Sequence, residues 1–302
     1  MVKNFNNLDR SYKAYGGLAC RKEGVLYKGE PYLLKYPANL KNKDLKGVNL
    51  SYANDTVCEY LGCHIFNLLG VPAQDTEIGI ASDKLVVLCK DFAIGKELIE
   101  FNKIKVSSSR DLKNPENGDI TNGEGTNLGN VLEVVRNSYF FEGLNAEEFF
   151  WKLFIIDFII DNPDRNNGNW GLLIENGQRS FAPVYDCGNC LQSKWDDEKC
   201  QKALDDDRIF EETVWKRKVC FYTDDDGKRI NPFKLIQEGR YPICSMVLAW
   251  VLQQDFDAVY QFIQECNLIS DVKREFYLKI ITARVEMLKN IEESLSSMYN
   301  VL

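Results

Sequence analysis

Apolar and polar positions in the first third of the chain alternate as strands do. Val25-Leu26-Tyr27, then Lys28-Gly29, then Glu30-Pro31-Tyr32-Leu33-Leu34-Lys35 predicts a hairpin with a glycine-containing turn. Residues 41–54 form a polar connector. Val57, Leu61, Ile65 and Leu68-Leu69 then recur at helical spacing, and Gly70-Val71-Pro72 marks where that helix stops. Two more strands are expected over residues 74–81 and 85–89, turning at Ser82-Asp83. Residues 107–126, rich in serine, asparagine and glycine, predict a long polar loop. From Asn127 on the pattern is mainly helical, over 128–137, 146–160, 243–252, 256–266 and 272–295, with short strands at 171–175 and 179–183 around Asn176-Gly177. The last helix carries Phe276, Ile280, Ile281, Val285, Leu288 and Ile291 on one stripe, a core-packing pattern. These elements predict an α+β chain in two parts: a small β-rich lobe with one main helix over residues 1–92, and a larger, mostly helical lobe over residues 93–302.

Composition agrees with a folded chain and removes several function classes. The 302 residues are enough for two lobes, and a 45% hydrophobic content fits a globular protein. A net charge of −8 and a pI near 5.0 argue against a broad nucleic-acid face. The acidic runs Asp196-Asp197-Glu198, Asp205-Asp206-Asp207 and Asp224-Asp225-Asp226 are expected to be solvated turns, with attraction of a basic substrate as the alternative. The polar N-terminus has no signal-peptide core, and the most apolar run, 149–160, is broken by Lys152 and Asp157, so no membrane span is expected. Ten cysteines at irregular spacing do not make a disulfide framework. The single histidine, His64, sits in a helical pattern, which disfavours a Ser-His-Asp or Cys-His mechanism and a structural zinc at Cys187/Cys190.

The chemistry concentrates in Asp161-Asn162-Pro163-Asp164-Arg165-Asn166-Asn167-Gly168-Asn169, between an apolar run and a strand. Polar groups placed there need partners, which a metal ion with phosphate ligands supplies. Asp164 and Asn169 are separated by four residues, the spacing of a phosphotransfer loop in which an acid accepts a hydroxyl proton and an amide holds magnesium. Seventeen residues later Asp186 stands in Val184-Tyr185-Asp186-Cys187-Gly188, the place of a second metal carboxylate. Asp161 and Asn166 share the spacing of the chosen pair. Asn169 is preferred because it abuts the strand leading to Asp186, and Asp161 then ends the preceding helix. Lys35, closing an apolar strand, is either an edge lysine or the cation that holds ATP phosphates. Glu59, early in the first helix, is either a surface residue or the partner of Lys35. Main-chain groups near Cys89 to Asp91 are expected to face an adenine, and Gly16-Gly17, in a basic loop, is either an ordinary turn or a phosphate loop.

These motifs, in this order and spacing over about the first two-thirds of the chain, resemble those of the HipA-like protein kinases. The resemblance implies a bilobed protein-kinase-like fold, ATP and Mg²⁺, and phosphoryl transfer to serine or threonine hydroxyls of a protein substrate, with autophosphorylation. By position it implies Lys35 as the ATP-phosphate lysine, Glu59 as its helix partner, Asp164 as catalytic aspartate, Asn169 and Asp186 as metal ligands, and Gly16, Gly17 and Lys22 as the phosphate-covering loop. The polar N-terminus and the lack of a span lead to the expectation of a cytoplasmic protein, with secretion or translocation into host cells without a cleaved signal peptide as the alternative. The chain departs from the family in three ways. Asn166 and Asn167 stand where many relatives have a histidine, Cys187 replaces the phenylalanine of the acid-x-Gly motif, and no large N-terminal subdomain precedes Lys35. A small-molecule or lipid kinase and a non-catalytic nucleotide-binding effector are the alternatives.

Overall fold

The structure is a computed structural model that describes residues 2–13, 15, 20–41, 50–108, 125–216 and 218–299. It begins with strands β1 (Lys3–Asn4), β2 (Asp9–Arg10), β3 (Lys22–Tyr27) and β4 (Glu30–Lys35), helix α1 (Asp55–Leu68), and strands β5 (Thr76–Ala81) and β6 (Lys84–Lys90). The strands form one sheet in the order β1-β5-β6-β4-β3-β2, antiparallel except for β1 beside β5. Both expected turns have two residues at positive φ, Lys28 and Gly29 in one and Ser82 and Asp83 in the other. That backbone matches the twist of a two-residue hairpin. Alternation then divides the side chains. Tyr32, Leu34, Val86 and Leu88 pack with Phe5, Val25 and Tyr36 on one face. Leu33, Lys35, Val87 and Cys89 lie on the other face, and α1 packs on β5 and β6.

Next come β7 (Glu97–Glu100), α2 (Phe101–Ser108), α3 (Leu128–Asn137), α4 (Ala146–Ile159), β8 (Gly171–Glu175) and β9 (Gln178–Phe181). The three strands make a second sheet in the order β7-β8-β9. A Cβ at Gly171 would lie 2.2 Å from the Ile99 carbonyl oxygen, so only glycine allows β8 to start this close to β7. Helix α4 is apolar on nearly all sides and packs against α3, as a central helix must. The chain ends with α5 (Asp197–Asp205), α6 (Asp207–Glu211), α7 (Pro232–Gln237), α8 (Pro242–Leu252), α9 (Phe256–Gln264) and α10 (Asp271–Tyr299).

Seven of these elements lie outside the sequence expectations: β1, β2, β7, α2, α5, α6 and α7. The acidic run at 196–198 is a helix start, not a turn. Asp196 accepts the Lys199 N–H at 2.9 Å as the N-cap, and Asp197 and Glu198 fall in the first turn of α5. Negative charge is favoured there by the helix dipole. Asp224, by contrast, closes a turn through the Asp226 and Lys228 N–H groups.

The chain packs as two compact units. One contains Met1–Phe92, Pro183–Ile209 and Asp255–Lys279, the other Ala93–Ala182, Phe210–Gln254 and Ile280–Leu302. Residues 183–209 and 255–279 join the first unit through specific pairings. Val184 pairs in parallel with Ala73, and Phe262 stacks on His64 at 5.2 Å. Of the expected polar loop, Ser107 and Ser108 finish α2, while 109–124 lie outside the described residues, as do 42–49 of the connector. Among the described residues no helix is long and apolar enough to cross a membrane.

Candidate active site

In the first unit, strand alternation sends Lys35 to the face on which Cys89 also lies. The Lys35 side chain is nearly sealed, at 8% exposure, and Glu59 on α1 is sealed at 2%. The Lys35 ammonium lies 3.2 Å from Glu59 Oε2 and donates to Asp186 Oδ1 at 2.7 Å. Burial alone would lower its pKa, but the Glu59 and Asp186 carboxylates outweigh that and hold it well above the ordinary lysine value. The lysine is therefore a fixed cation. Asp186 reaches it because Val184 is clamped between Pro72 and Gln74, accepting the Gln74 N–H at 2.8 Å and donating to the Pro72 carbonyl at 2.9 Å. Asp186 itself has φ of +58°, a left-handed backbone that Asp and Asn tolerate better than most residues. Its side chain keeps 40% exposure, so solvent and ligands can reach it. The glycine two residues on also has a steric reason. A Cβ at Gly188 would press to 3.2 Å from both Glu59 Oε2 and the Asp55 carbonyl.

In the second unit, the 161–170 stretch folds around a buried ion pair. Arg165 Nε donates to Asp157 Oδ2 at 2.8 Å and Nη1 donates to the Asn169 carbonyl at 3.0 Å. Asn162 Nδ2 adds a bond to Asp157 Oδ1 at 2.7 Å. Burial pushes the Asp157 carboxyl above the ordinary aspartate value despite Arg165. The carbonyl of Asp164 accepts the Asn166 N–H at 2.7 Å and the Asn169 amide at 2.9 Å. The Asn169 amide donors thus point into the loop, and its Oδ1, the atom a cation takes, forms the other end of the group. Asp164 is partly exposed. Asp161, with the rival spacing, is buried, and its carboxylate accepts Arg284 Nη2 at 2.7 Å and Lys218 Nζ at 2.8 Å. Burial works to raise its pKa, but the two cations prevail and hold it below the ordinary value. Asp161 is thus a structural anchor at the end of α4.

The remaining predicted residues fall as follows. Gly16 and Gly17 lie outside the described residues. Lys22 stands directly opposite Lys35 in the β3–β4 ladder, so both side chains leave the same face of the sheet. The Cys89 thiol is buried and pushed above its ordinary value by burial. The Lys90 and Asp91 N–H groups donate to the Asp75 and Pro31 carbonyls at 2.8 and 3.1 Å, so both donors are taken up in the sheet. The Asp91 carboxylate accepts Tyr15 Oη at 2.7 Å and Lys13 Nζ at 2.5 Å. Asp157, Tyr15 and Lys13 are contributors that the sequence does not single out, although Asp157 leaves a trace as an acid interrupting an apolar run; Arg165 lies within the polar stretch but has no role assigned from sequence.

Among the described residues no group of three or more His, Cys, Asp or Glu side chains is set to hold a metal by itself. Mg²⁺ takes one or two protein carboxylates or amides and completes its shell with phosphate and water. The first unit offers chemistry of that kind in the partly exposed Asp186 carboxylate beside the Lys35 ammonium, and the second unit, taken by itself, offers the Asn169 amide oriented by the Asp164 carbonyl.

No family model matches the chain. It is 31% identical over 276 residues to the serine/threonine-protein kinase CtkA of Helicobacter pylori strain J99, covering 90% of this chain and 81% of CtkA. The crystal structure of the H. pylori proinflammatory kinase CtkA superposes with a TM-score of 0.84 and 27% identity, over 97% of this chain and 99% of that one. HipA, in the Shewanella oneidensis HipA–HipB–operator DNA complex, superposes with a TM-score of 0.55 at 10% identity, over 96% of this chain and 68% of that one; it shares the fold alone. The chain belongs to the CtkA family of serine/threonine protein kinases, with their α+β HipA-like kinase fold.

Proposed function

We propose that the chain transfers the γ-phosphate of ATP to serine or threonine hydroxyls of a protein, itself included, in a Mg²⁺-dependent reaction. The observation that carries this is the Lys35 ammonium, buried between Glu59 and a partly exposed Asp186. A sealed lysine with two carboxylates needs a reason to be kept, and phosphate recognition supplies one. Glu59 holds Lys35 in place while the ammonium turns to the α- and β-phosphates. Gly16, Gly17 and Lys22 cover the phosphates, and the adenine lies near Cys89 and Asp91, through groups other than the Lys90 and Asp91 N–H. Asp186 and Asn169 hold Mg²⁺, which when bound offsets the charge developing on the transferred group. Asp164 orients the incoming hydroxyl and accepts its proton. The bonds gathered on its own carbonyl hold the Asp164 main chain, and the residue is partly exposed. Residues 1–92 form the nucleotide-binding lobe, and residues 93–302 carry the proton acceptor and the hydroxyl substrate.

Incubation of the purified chain with γ-labelled ATP and Mg²⁺, alone and with a generic protein substrate, tests this beside Asp164→Ala. Label in protein from the native chain and its loss in the variant are expected. Equal labelling by both would remove Asp164 from the mechanism. Label found only in a lipid or small molecule would change the substrate class.

A further inference from the structure

Asn54 immediately precedes α1, at the position where an asparagine usually caps its own helix. It does not. Its side chain makes no capping bond, and Nδ2 donates instead to the Ser193 carbonyl at 3.0 Å and the Trp195 carbonyl at 3.1 Å. The Asn54 main-chain N–H adds a third bond, to the Ser193 carbonyl at 2.8 Å. Asn54 Oδ1 accepts Lys273 Nζ at 3.1 Å, and that ammonium also lies 3.5 Å from Asp197 Oδ1. Every polar atom of the side chain is thus directed at other segments of the same unit rather than at α1.

The segment it grips is the one that follows Asp186. That segment has reason to need gripping. Leu191 and Gln192 stand in succession at φ of +50° and +54°, a left-handed backbone that a Cβ disfavours, and Leu191 is fully buried. Its start is fastened by close packing: a Cβ on Gly62 of α1 would fall 2.6 Å from Cys187 Cβ, and Gly188 sits against Glu59. Cys190 Sγ donates to the Cys58 carbonyl at 3.2 Å. Asn54 fastens the far end.

We propose that Asn54 is a positioning residue. It ties the strained 187–195 segment to the N-terminus of the helix that carries Glu59, and so fixes Asp186 opposite Lys35. The part that concerns catalysis rests on the phosphotransfer function proposed above; the tie itself does not. The experiment compares Asn54→Asp, which keeps the acceptor for Lys273 and removes only the two amide donors, with Asn54→Ala. Backbone hydrogen exchange is read on the nucleotide-free chain, and phosphate transfer over a Mg²⁺ titration. Both variants are expected to exchange at least tenfold faster at 187–195 with α4 unchanged. Their Mg²⁺ requirement should rise about fivefold or more and kcat fall about tenfold, while the melting temperature of Asn54→Asp stays level or rises because an acid gains the chance to cap α1. Unchanged exchange at 187–195 in both variants would overturn the tie. Faster exchange with unchanged Mg²⁺ requirement and kcat would overturn the positioning role. If the native chain transfers no phosphate at all, the proposed function fails, and the exchange result still decides whether Asn54 holds the segment.

Discussion

Two buried lysine–carboxylate clusters, one in each unit, have opposite designs. In the first, one cation, Lys35, stands between two carboxylates, and one of these, Asp186, is 40% exposed. In the second, one carboxylate, Asp161, stands between two cations, and Arg284 is fully buried. Arg284 also caps backbone, donating to the carbonyls of Phe158, Val214 and Thr213. The second cluster has its hydrogen bonds made inside the protein, so it holds α10 to the end of α4 and to the 213–218 segment. The first carries surplus negative charge with one side open to solvent, which is a place for a cation and for exchange of partners. Buried charge alone does not mark function; the accessible carboxylate is what separates the proposed site from the anchor.

Substitution separates the two. Asp186→Asn keeps a residue that tolerates the left-handed backbone, so the fold is expected to persist while phosphate transfer falls about a thousandfold. Circular dichroism and labelled-ATP turnover on one preparation check both halves. Arg284→Met is expected to do the reverse. Leaving Asp161 short of a buried partner costs about 3–5 kcal/mol, seen in urea unfolding, with turnover per folded molecule largely kept. The same variant should flatten acid sensitivity. Because the folded pKa of Asp161 is depressed, its contribution to stability is present above the unfolded aspartate value and is lost as pH falls below it.

Another buried lysine, Lys105, sharpens the contrast. Among the described residues the Lys105 ammonium meets the Gly125 carbonyl and no carboxylate, and desolvation lowers its pKa to about 8 from 10.5. A depressed lysine weakens the fold while charged. The stability of the native chain relative to Lys105→Met should therefore rise by about 2 kcal/mol as pH climbs from about 8 to about 10.5. Lys218→Met, which leaves Arg284 on Asp161, is the mildest change, expected to cost about 1 kcal/mol in the same unfolding assay.

Local chemistry was the legible part of the sequence. Lys28-Gly29, Ser82-Asp83 and Asn176-Gly177 signalled their turns, and all six residues adopt positive φ. The polar 161–169 stretch stood out because it interrupts two apolar runs, and Asn162, Arg165, Asn166, Asn167 and Asn169 are indeed buried. What stayed hidden depends on distant partners. Strand β7 exists because it pairs with β8, whose residues lie more than seventy positions on. Arg284 occupies a helix that otherwise reads as an apolar stripe with a solvated back, yet its carboxylate partner is 123 residues away. Asn54 has the residue type of a helix cap, and its actual partners are 139 and 141 residues on. Local pattern carries no information about such contacts.

The measurement that bears most directly on the account is single-turnover phosphate transfer by Asp186→Asn and Arg284→Met, each normalised to its folded fraction. Near-native transfer per folded molecule is expected for Arg284→Met, and about a thousandfold loss for a fully folded Asp186→Asn. Transfer retained by Asp186→Asn would show that the open cluster around Lys35 is not where the phosphate moves.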